Sequence, residues 1–125
     1  MMHPDVQDAL VEIIDGLTDG NAYHRLQPDF TVPAVLVRAE QNDNGVLATH
    51  RAQLEFYHED LPSCKQLARV IVAHLLNAPH ETSAGMLDSL RIETNIREIP
   101  YTDQLVMYTA SVFVDTRPVR ALPAL

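Results

Sequence analysis

The stretch that decides the fold is Gln104-Leu-Val-Met-Tyr-Thr-Ala-Ser-Val-Phe-Val-Asp-Thr116, an apolar run with the period of a β-strand. Successive side chains of a strand point to opposite faces, so every second residue shares a face. One face carries Val106, Tyr108, Ala110, Val112 and Val114. The other carries Leu105, Met107 and Phe113, which are more apolar than a water-facing side requires. If helices cover only one side of the sheet, we expect another subunit to cover these three residues.

A second strand precedes this run and forms a hairpin with it. Its two faces carry different residues: Leu90, Ile92, Thr94 and Ile96 on one side, and Arg91, Glu93, Asn95 and Arg97 on the other. We predict this strand over residues 90–99 and a turn at Pro100. The last third of the chain is therefore predicted to be an antiparallel strand pair.

Two amphipathic helices are predicted, one before each pair of strands. Residues 5–17 place apolar side chains at i, i+3, i+4, i+7, i+8 and i+11, and Gly16 and Gly20 mark the end of this helix. Residues 62–77 form the second helix, which Asn77 and Pro79 end. Its predicted buried stripe consists of Cys64, Leu67, Ala68, Ile71 and Leu75.

The segments between the helices and the last strands contain a further hairpin. Residues 34–39 and 46–58 predict its two strands, and the polar residues 41–45 predict its turn, because Asn-Gly supplies the positive φ angles that such turns require. Residues 20–31 and 78–88 are predicted to be loops. The order of elements is then α-β-β-α-β-β.

This order predicts an α+β fold, a mostly antiparallel four-stranded sheet with two packed helices. The 125 residues fit one domain over 1–125, because two domains of half this length have cores too small to be stable. Residues 118–125 include Leu122 and Leu125 but have no period, so we expect a tail that either docks on a neighbour or is disordered.

Composition excludes several classes of protein. The chain is 46% hydrophobic and 21% charged, as folded proteins are, and its net charge of −8 argues against binding in a nucleic-acid groove. An acidic wall still allows DNA to pass without sticking. A single cysteine excludes an internal disulfide and is typical of a cytosolic folding environment. We find no signal peptide, and residues 67–76, the most apolar stretch, are too short to cross a membrane.

The candidate reactive residues form no known motif. The six histidines are scattered, with no His-x-His or His-x-x-x-His pair for a metal. Cys64 lies in the first turn of a helix, where the helix dipole lowers a thiol pKa, but its place on the apolar stripe favours a core residue. We therefore predict no catalytic, cofactor or metal site and no enzyme activity.

An acidic stripe follows the first helix. Asp8, Glu12, Asp15 and Asp19 lie at i, i+4, i+7 and i+11. Two interpretations stay open. The stripe is either a solvated helix face, or a face that lines a channel or meets a basic partner. Lys65 and Arg69 on the second helix are a possible complement on an adjacent copy.

Four segments together show a pattern that extends over residues 5–118. They are the first helix, the strand Val32-Pro33-Ala34-Val35-Leu36-Val37, the helix from Cys64 to Leu76, and the closing strand pair with Pro100 and Tyr108. In length and element order the chain resembles the tail terminator proteins of long-tailed bacteriophages and their tail-completion relatives. The likeness is one of pattern and not of an invariant motif, and the apolar tail after Pro118 has no counterpart in the family.

The resemblance implies a homohexameric ring that caps the tail tube, ends its growth and provides the surface that joins the head connector. The implied partners are other copies of the chain, the tail-tube protein, the head-tail connector protein, and genomic DNA that passes without sequence-specific binding. The implied location is the tail-head junction of the virion, after synthesis in the bacterial cytoplasm. On this hypothesis the acidic stripe faces the channel, and the subunit interface contains Leu105, Met107, Phe113, Leu122 and Leu125.

Two other functions stay open at this point. One is a head-closure or other neck protein of the same virion, which has the same acidic, ring-forming character. The other, from a different class, is a small α+β ligand-binding or enzyme domain with His58, His74 and Cys64 in one pocket.

Overall fold

Two long antiparallel strands form the centre of the fold, β3 (Ala48–His58) and β7 (Val106–Thr116). Their pairing runs without interruption from Ala48 opposite Thr116 to His58 opposite Val106. The computed structural model of the protein describes residues 2–100 and 105–119. Pro100, where a turn was predicted, is the last residue of strand β6 (Ser89–Pro100). Residues 101–104, and the segment 120–125 with Leu122 and Leu125, lie outside the described residues.

The remaining elements are arranged around this central pair. In chain order they are α1 (Val6–Thr18), β1 (Ala22–Tyr23), β2 (Ala34–Glu40), α2 (Leu61–Leu76), β4 (His80–Thr82), β5 (Gly85–Leu87) and β6 (Ser89–Pro100). One sheet has the order β1-β2-β3-β7-β6, and β4 and β5 form a separate pair. In the larger sheet β1 runs parallel to β2, and the other neighbours are antiparallel. The α+β class is confirmed.

The prediction of a four-stranded sheet is wrong, because β1 adds a fifth strand to it. Both predicted loops contain short strands. β1 lies in the segment 20–31, where the Val35 N–H donates to the Asn21 carbonyl at 2.9 Å. β4 and β5 form a hairpin in the segment 78–88. Strands of two or three residues are too short to show a period in a sequence.

The β4–β5 hairpin packs on the N-terminal segment, and Gly85 permits this close approach. Its φ of +137° lies in a region that residues with a side chain rarely adopt. A Cβ atom at this position would lie 2.6 Å from Pro4 Cγ. The fold therefore requires glycine here for both conformation and space.

Both predicted helices are confirmed, each shifted by one residue. The Asp5 carboxylate caps α1 by accepting from the Asp8 N–H at 2.9 Å, and Asp60 caps α2 by accepting from the Ser63 N–H at 2.8 Å. At its other end α1 stops at Asp19, which has the left-handed conformation. Gly16, predicted near the end, lies inside the helix. No helix within residues 2–100 and 105–119 is long and apolar enough to cross a membrane.

The two helices cover the same face of the sheet and enclose the main core. The β7 residues predicted to share a face point into this core; four are buried and Val106 is half-buried. In α2, Cys64, Ala68, Ile71 and Leu75 are buried as predicted, and Leu67 is half-buried at the margin of the core. The predicted core-facing sides of β7 and α2 are therefore confirmed.

β6 departs from the predicted regular alternation. Its register against β7 shifts between Ile92 and Thr94 and again between Thr94 and Arg97. Each shift places one extra residue on β6, which is a β-bulge and locally bends the strand. Leu90 is buried, whereas most of the strand beyond it is exposed.

Candidate functional site

The face of the sheet opposite the helices is covered in part by the chain itself. Met107 packs with Ala34, Leu36 and Tyr57 in a second apolar cluster, and only 8% of it is exposed. The segment 23–32 covers this cluster with Tyr23, Leu26, Phe30 and Val32. The expectation that Met107 needs a neighbouring subunit to cover it is therefore wrong, because an irregular segment of the same chain covers it.

The other two residues of that face are less enclosed. Leu105 and Phe113 are half-buried. The Arg91 guanidinium lies 5.3 Å from the centre of the Phe113 ring, and its Nη2 forms an ion pair with Asp115 at 3.1 Å. A cation over an aromatic ring is a favourable contact, and here it joins β6 to β7 on the face of the sheet opposite the helices. These two residues remain candidates for contact with another subunit.

The largest unpartnered feature of the sheet is its β6 edge. β6 is 12 residues long, and within residues 2–100 and 105–119 its only partner strand is β7. Ile92 lies opposite Val112, so its side chain is on the helix-covered face, yet 41% of it is exposed because it lies at the margin. A long edge strand presents a row of backbone donors and acceptors that another chain can satisfy.

Helix α2 packs against β6 and extends this exposed surface. Val70 is 49% exposed on the side of the helix away from the core, and Leu61 and Leu76 are also exposed. Single apolar side chains on a surface are ordinary. Because α2 packs against β6, we take the β6 edge and the outward side of α2 as the candidate subunit interface.

Three of the four carboxylates in the acidic stripe bind loops of the same chain. Asp8 accepts from His24 Nε2 at 2.7 Å, and Asp15 accepts from the Ala22 N–H at 2.8 Å. Glu12 accepts from both the N–H and the hydroxyl of Ser83, which holds its pKa below the usual value. The fourth, Asp19, ends α1. The stripe therefore attaches β1 and the β4–β5 hairpin to the helix, a role that the sequence did not indicate.

A hydrogen-bonded chain of two histidines and one threonine joins the N-terminal segment to β3 and β7. Thr116 Oγ1 lies 2.8 Å from His3 Nδ1 and 2.7 Å from His50 Nε2. His50 Nδ1 accepts from the Asn42 N–H at 2.9 Å, and His3 Nε2 lies 2.9 Å from the Gly45 carbonyl. We call these three side chains the histidine relay. Both histidines are buried.

The hydrogen-bond partners of the two imidazoles indicate which ring nitrogen of each carries a proton. His50 Nδ1 faces an N–H, so it carries no proton, and Nε2–H donates to Thr116. His3 Nε2 faces a carbonyl, so it carries a proton, and Nδ1 accepts from the Thr116 hydroxyl. Both imidazoles are therefore neutral in this arrangement. Burial and the neighbouring His3 lower the pKa of His50 below its usual value of 6.5.

Two surface cavities lie away from the β6 edge. One, of about 780 Å³, is bordered by Pro4, Val46, Met86 and Val119. The other, of about 620 Å³, is lined by His24, Arg25 and Arg38 beside Tyr57 and Phe30. In the second cavity His24 is paired with Asp8, and Arg38 Nε lies 3.2 Å from the buried Glu55 carboxylate. The charge of Arg38 is therefore compensated within the chain.

Cys64 and His74, two of the three residues considered for a reactive pocket, have separate surroundings. Cys64 Sγ is buried within 3.2 Å of the Phe56 carbonyl, and burial raises the thiol pKa to about 11. His74 packs against the His80 ring, with 5.2 Å between centres. Cys64 and His74 are ten residues apart in one helix, which places them about 15 Å apart along its axis. One pocket does not join these two side chains.

Among residues 2–100 and 105–119, no group of three or more His, Cys, Asp or Glu side chains is arranged to hold a metal ion. Comparison with models of known protein families and with curated proteins found no match to this chain.

Proposed function

We propose that the protein is a structural subunit of a bacteriophage virion that assembles, through its β6 edge, into a homohexameric ring. The ring caps the tail tube, ends its elongation and provides the surface to which the head connector binds. The single observation that supports this proposal most is the long edge strand β6, which is mostly exposed and includes the exposed Ile92.

A ring requires that two different surfaces of the subunit meet, because like surfaces form a closed twofold dimer. The two bulges in β6 disfavour continuous pairing between two copies of this strand, since bulges interrupt the regular spacing of the ladder. The opposite edge of the sheet has other partners. β1 pairs with Val35 and Leu36, and Gln7 donates to the Val37 carbonyl at 2.8 Å. We therefore expect β6 to meet a different surface of the next subunit.

The charge of the chain suits a channel through which DNA passes. With a net charge of −8, a ring of six copies repels a polyanion and lets it move without sequence-specific binding. Asp8, Glu12, Asp15 and Asp19 form the proposed channel face. The hydrogen bonds of Glu12 lower its pKa, so this carboxylate keeps its charge at neutral pH.

In this proposal the subunit interface consists of the β6 edge with Ile92, the outward side of α2 with Val70, and the half-buried Leu105 and Phe113. Met107 does not belong to it, because the segment 23–32 covers this residue. The contribution of Leu122 and Leu125 stays a prediction. The tail-tube protein and the head-tail connector protein bind the two flat sides of the ring, at the tail-head junction.

Charge placed at the edge tests the proposal. Ile92→Glu introduces a carboxylate into the β6 contact, so we expect the hexamer to dissociate in sedimentation velocity while the circular dichroism of the subunit is unchanged. Leu17→Glu is the matched control, because Leu17 is also 41% exposed but lies on α1. An Ile92→Glu protein that still forms the same hexamer contradicts the assignment of this edge. A wild-type twofold dimer contradicts the ring.

A further inference from the structure

The histidine relay has no part in the proposed ring contact, yet it controls how one loop is attached. The loop of residues 41–47 leads from β2 to β3, and the relay binds it twice: through the Asn42 N–H on His50 and the Gly45 carbonyl on His3. The apolar end of this loop is exposed, Val46 by 61% and Leu47 by 73%. Buried histidines tied to an exposed loop form an arrangement that responds to protons.

We propose that protonation of the histidine relay releases the start of the loop of residues 41–47 from β3 at Asn42, so that this part of the loop opens at mildly acidic pH. A protonated imidazole is a donor at both nitrogens and accepts at neither. His50 then faces the Asn42 N–H with an N–H of its own, and this hydrogen bond is lost. His3 likewise loses its bond from the Thr116 hydroxyl, whereas its Nε2–H still donates to the Gly45 carbonyl.

The groups around the relay act on His50 in opposite directions, and their net effect lowers its pKa. Asp43 on the loop and Asp115 on β7 attract a proton to His50, whereas burial and the neighbouring His3 repel it. Asp115 is itself bound by Thr49 on β3 and by Ser89 and Arg91 on β6. Asp43 accepts from the His3 backbone N–H at 3.2 Å. The two histidine rings are 5.7 Å apart, so a second positive charge repels the first.

The direction of the pH effect follows from the lowered pKa of His50. The unfolded or opened state binds this proton more readily than the closed state, so the closed state is fully stable above pH 6.5. The stability of the closed state relative to the opened state decreases progressively as the pH falls below that value. Three contacts that do not involve histidine remain: the Val6 N–H to Gln41, the Gln41 amide to the Pro4 carbonyl, and the Asn42 side-chain amide to the Thr49 carbonyl. The opening is therefore expected to be local.

Hydrogen exchange measured by NMR tests this directly on the full chain. Between pH 7.5 and pH 5.5, after correction for the intrinsic exchange rate, we expect the Asn42 amide to lose protection at least tenfold. The amides of Leu54 and Val112 in the core serve as the internal reference and are expected to keep theirs. Equal protection of Asn42 at both pH values overturns the proposal, and so does an equal loss at all three amides, which signals global unfolding.

Variants test whether the pH-dependent loss of protection at Asn42 comes from the relay or from another titrating group. His50→Asn keeps an oxygen that accepts from the Asn42 N–H but does not take up a proton, so the pH-dependent loss at Asn42 is expected to disappear. His58→Gln, outside the relay, is expected to retain it. If His50→Asn does not fold, the nitrogen chemical shifts of the wild-type imidazoles still test the proposed protonation of the two rings. At pH 7.5 both rings must carry their proton on Nε2, and any other tautomer overturns the assignment.

Discussion

Glu12 and Ser83, 71 positions apart in the chain, are joined by a carboxylate that accepts from the Ser83 backbone N–H at 3.0 Å and from its hydroxyl. This contact fixes the turn of the β4–β5 hairpin to α1. A residue that the sequence places only on a polar helix stripe therefore connects two parts of the fold. The same carboxylate remains available to the proposed channel face, because it lies at the surface.

Removing the charge of Glu12 is expected to weaken this attachment. Glu12→Gln loses the charged acceptor, so we expect a lower Tm at pH 7. Because the folded-state pKa of Glu12 is below its usual 4.5, this contribution is present above pH 4.5 and is lost as the pH falls through the folded-state value. The Tm difference between wild type and variant must therefore shrink in acid. Glu59→Gln, at an exposed turn, is the control, and a difference that grows in acid contradicts the account.

Replacement of two glycines by alanine is expected to change the stability of the protein in opposite directions. Gly85→Ala places a Cβ 2.6 Å from Pro4 Cγ at a φ of +137°, so it must destabilise the protein. Gly16→Ala lies inside α1 with nothing within 4 Å of the new Cβ, and is expected to stabilise it by about 1 kcal/mol. Urea denaturation measures both. A neutral or stabilising Gly85→Ala would show that the hairpin does not pack on Pro4 as described.

Adjacent residues of α2 test the placement of this helix. Ile71 is fully buried, so Ile71→Ala is expected to cost about 2–5 kcal/mol of unfolding free energy. Val70, 49% exposed, is the control, and Val70→Ala is expected to change it by less than about 0.5 kcal/mol. Comparable losses for the two variants contradict the orientation of α2 on the sheet.

The long periodic elements were predictable from the sequence because each one repeats its signal several times. In β7 every second residue from Val106 to Val114 is apolar and faces the helix-covered core, as the alternation predicts. In α1 and α2 the apolar spacing extends over three turns or more, and Asp5 and Asp60 cap the helices where the patterns begin. Local signals of this kind are independent of contacts far along the chain.

Features that depend on distant residues were not predictable in the same way. The cover over Met107 comes from an irregular segment, in which Leu26 and Phe30 are apolar but show no period. The relay brings together His3 and Thr116, which are 113 positions apart. The bulges in β6 depend on its register against β7, which no pattern within residues 90–99 specifies.

Cys64 offers a test of the interpretation that it is a core residue. Its thiol is buried and its pKa is raised to about 11, so little thiolate is available at pH 8. We expect iodoacetamide to modify the native protein far more slowly than the urea-unfolded protein, at a rate that rises with denaturant. Equal rates in the two states would mean that Cys64 is accessible and activated.

The most direct test of the central claim is the mass of the native particle. Native mass spectrometry of the unmodified protein, over a series of concentrations, is predicted to show six copies of the chain, with monomer as the species that remains on dilution. A protein that stays monomeric at the highest concentration at which it remains in solution, and that is also monomeric when added to tail tubes, would contradict the assignment of a ring-forming subunit.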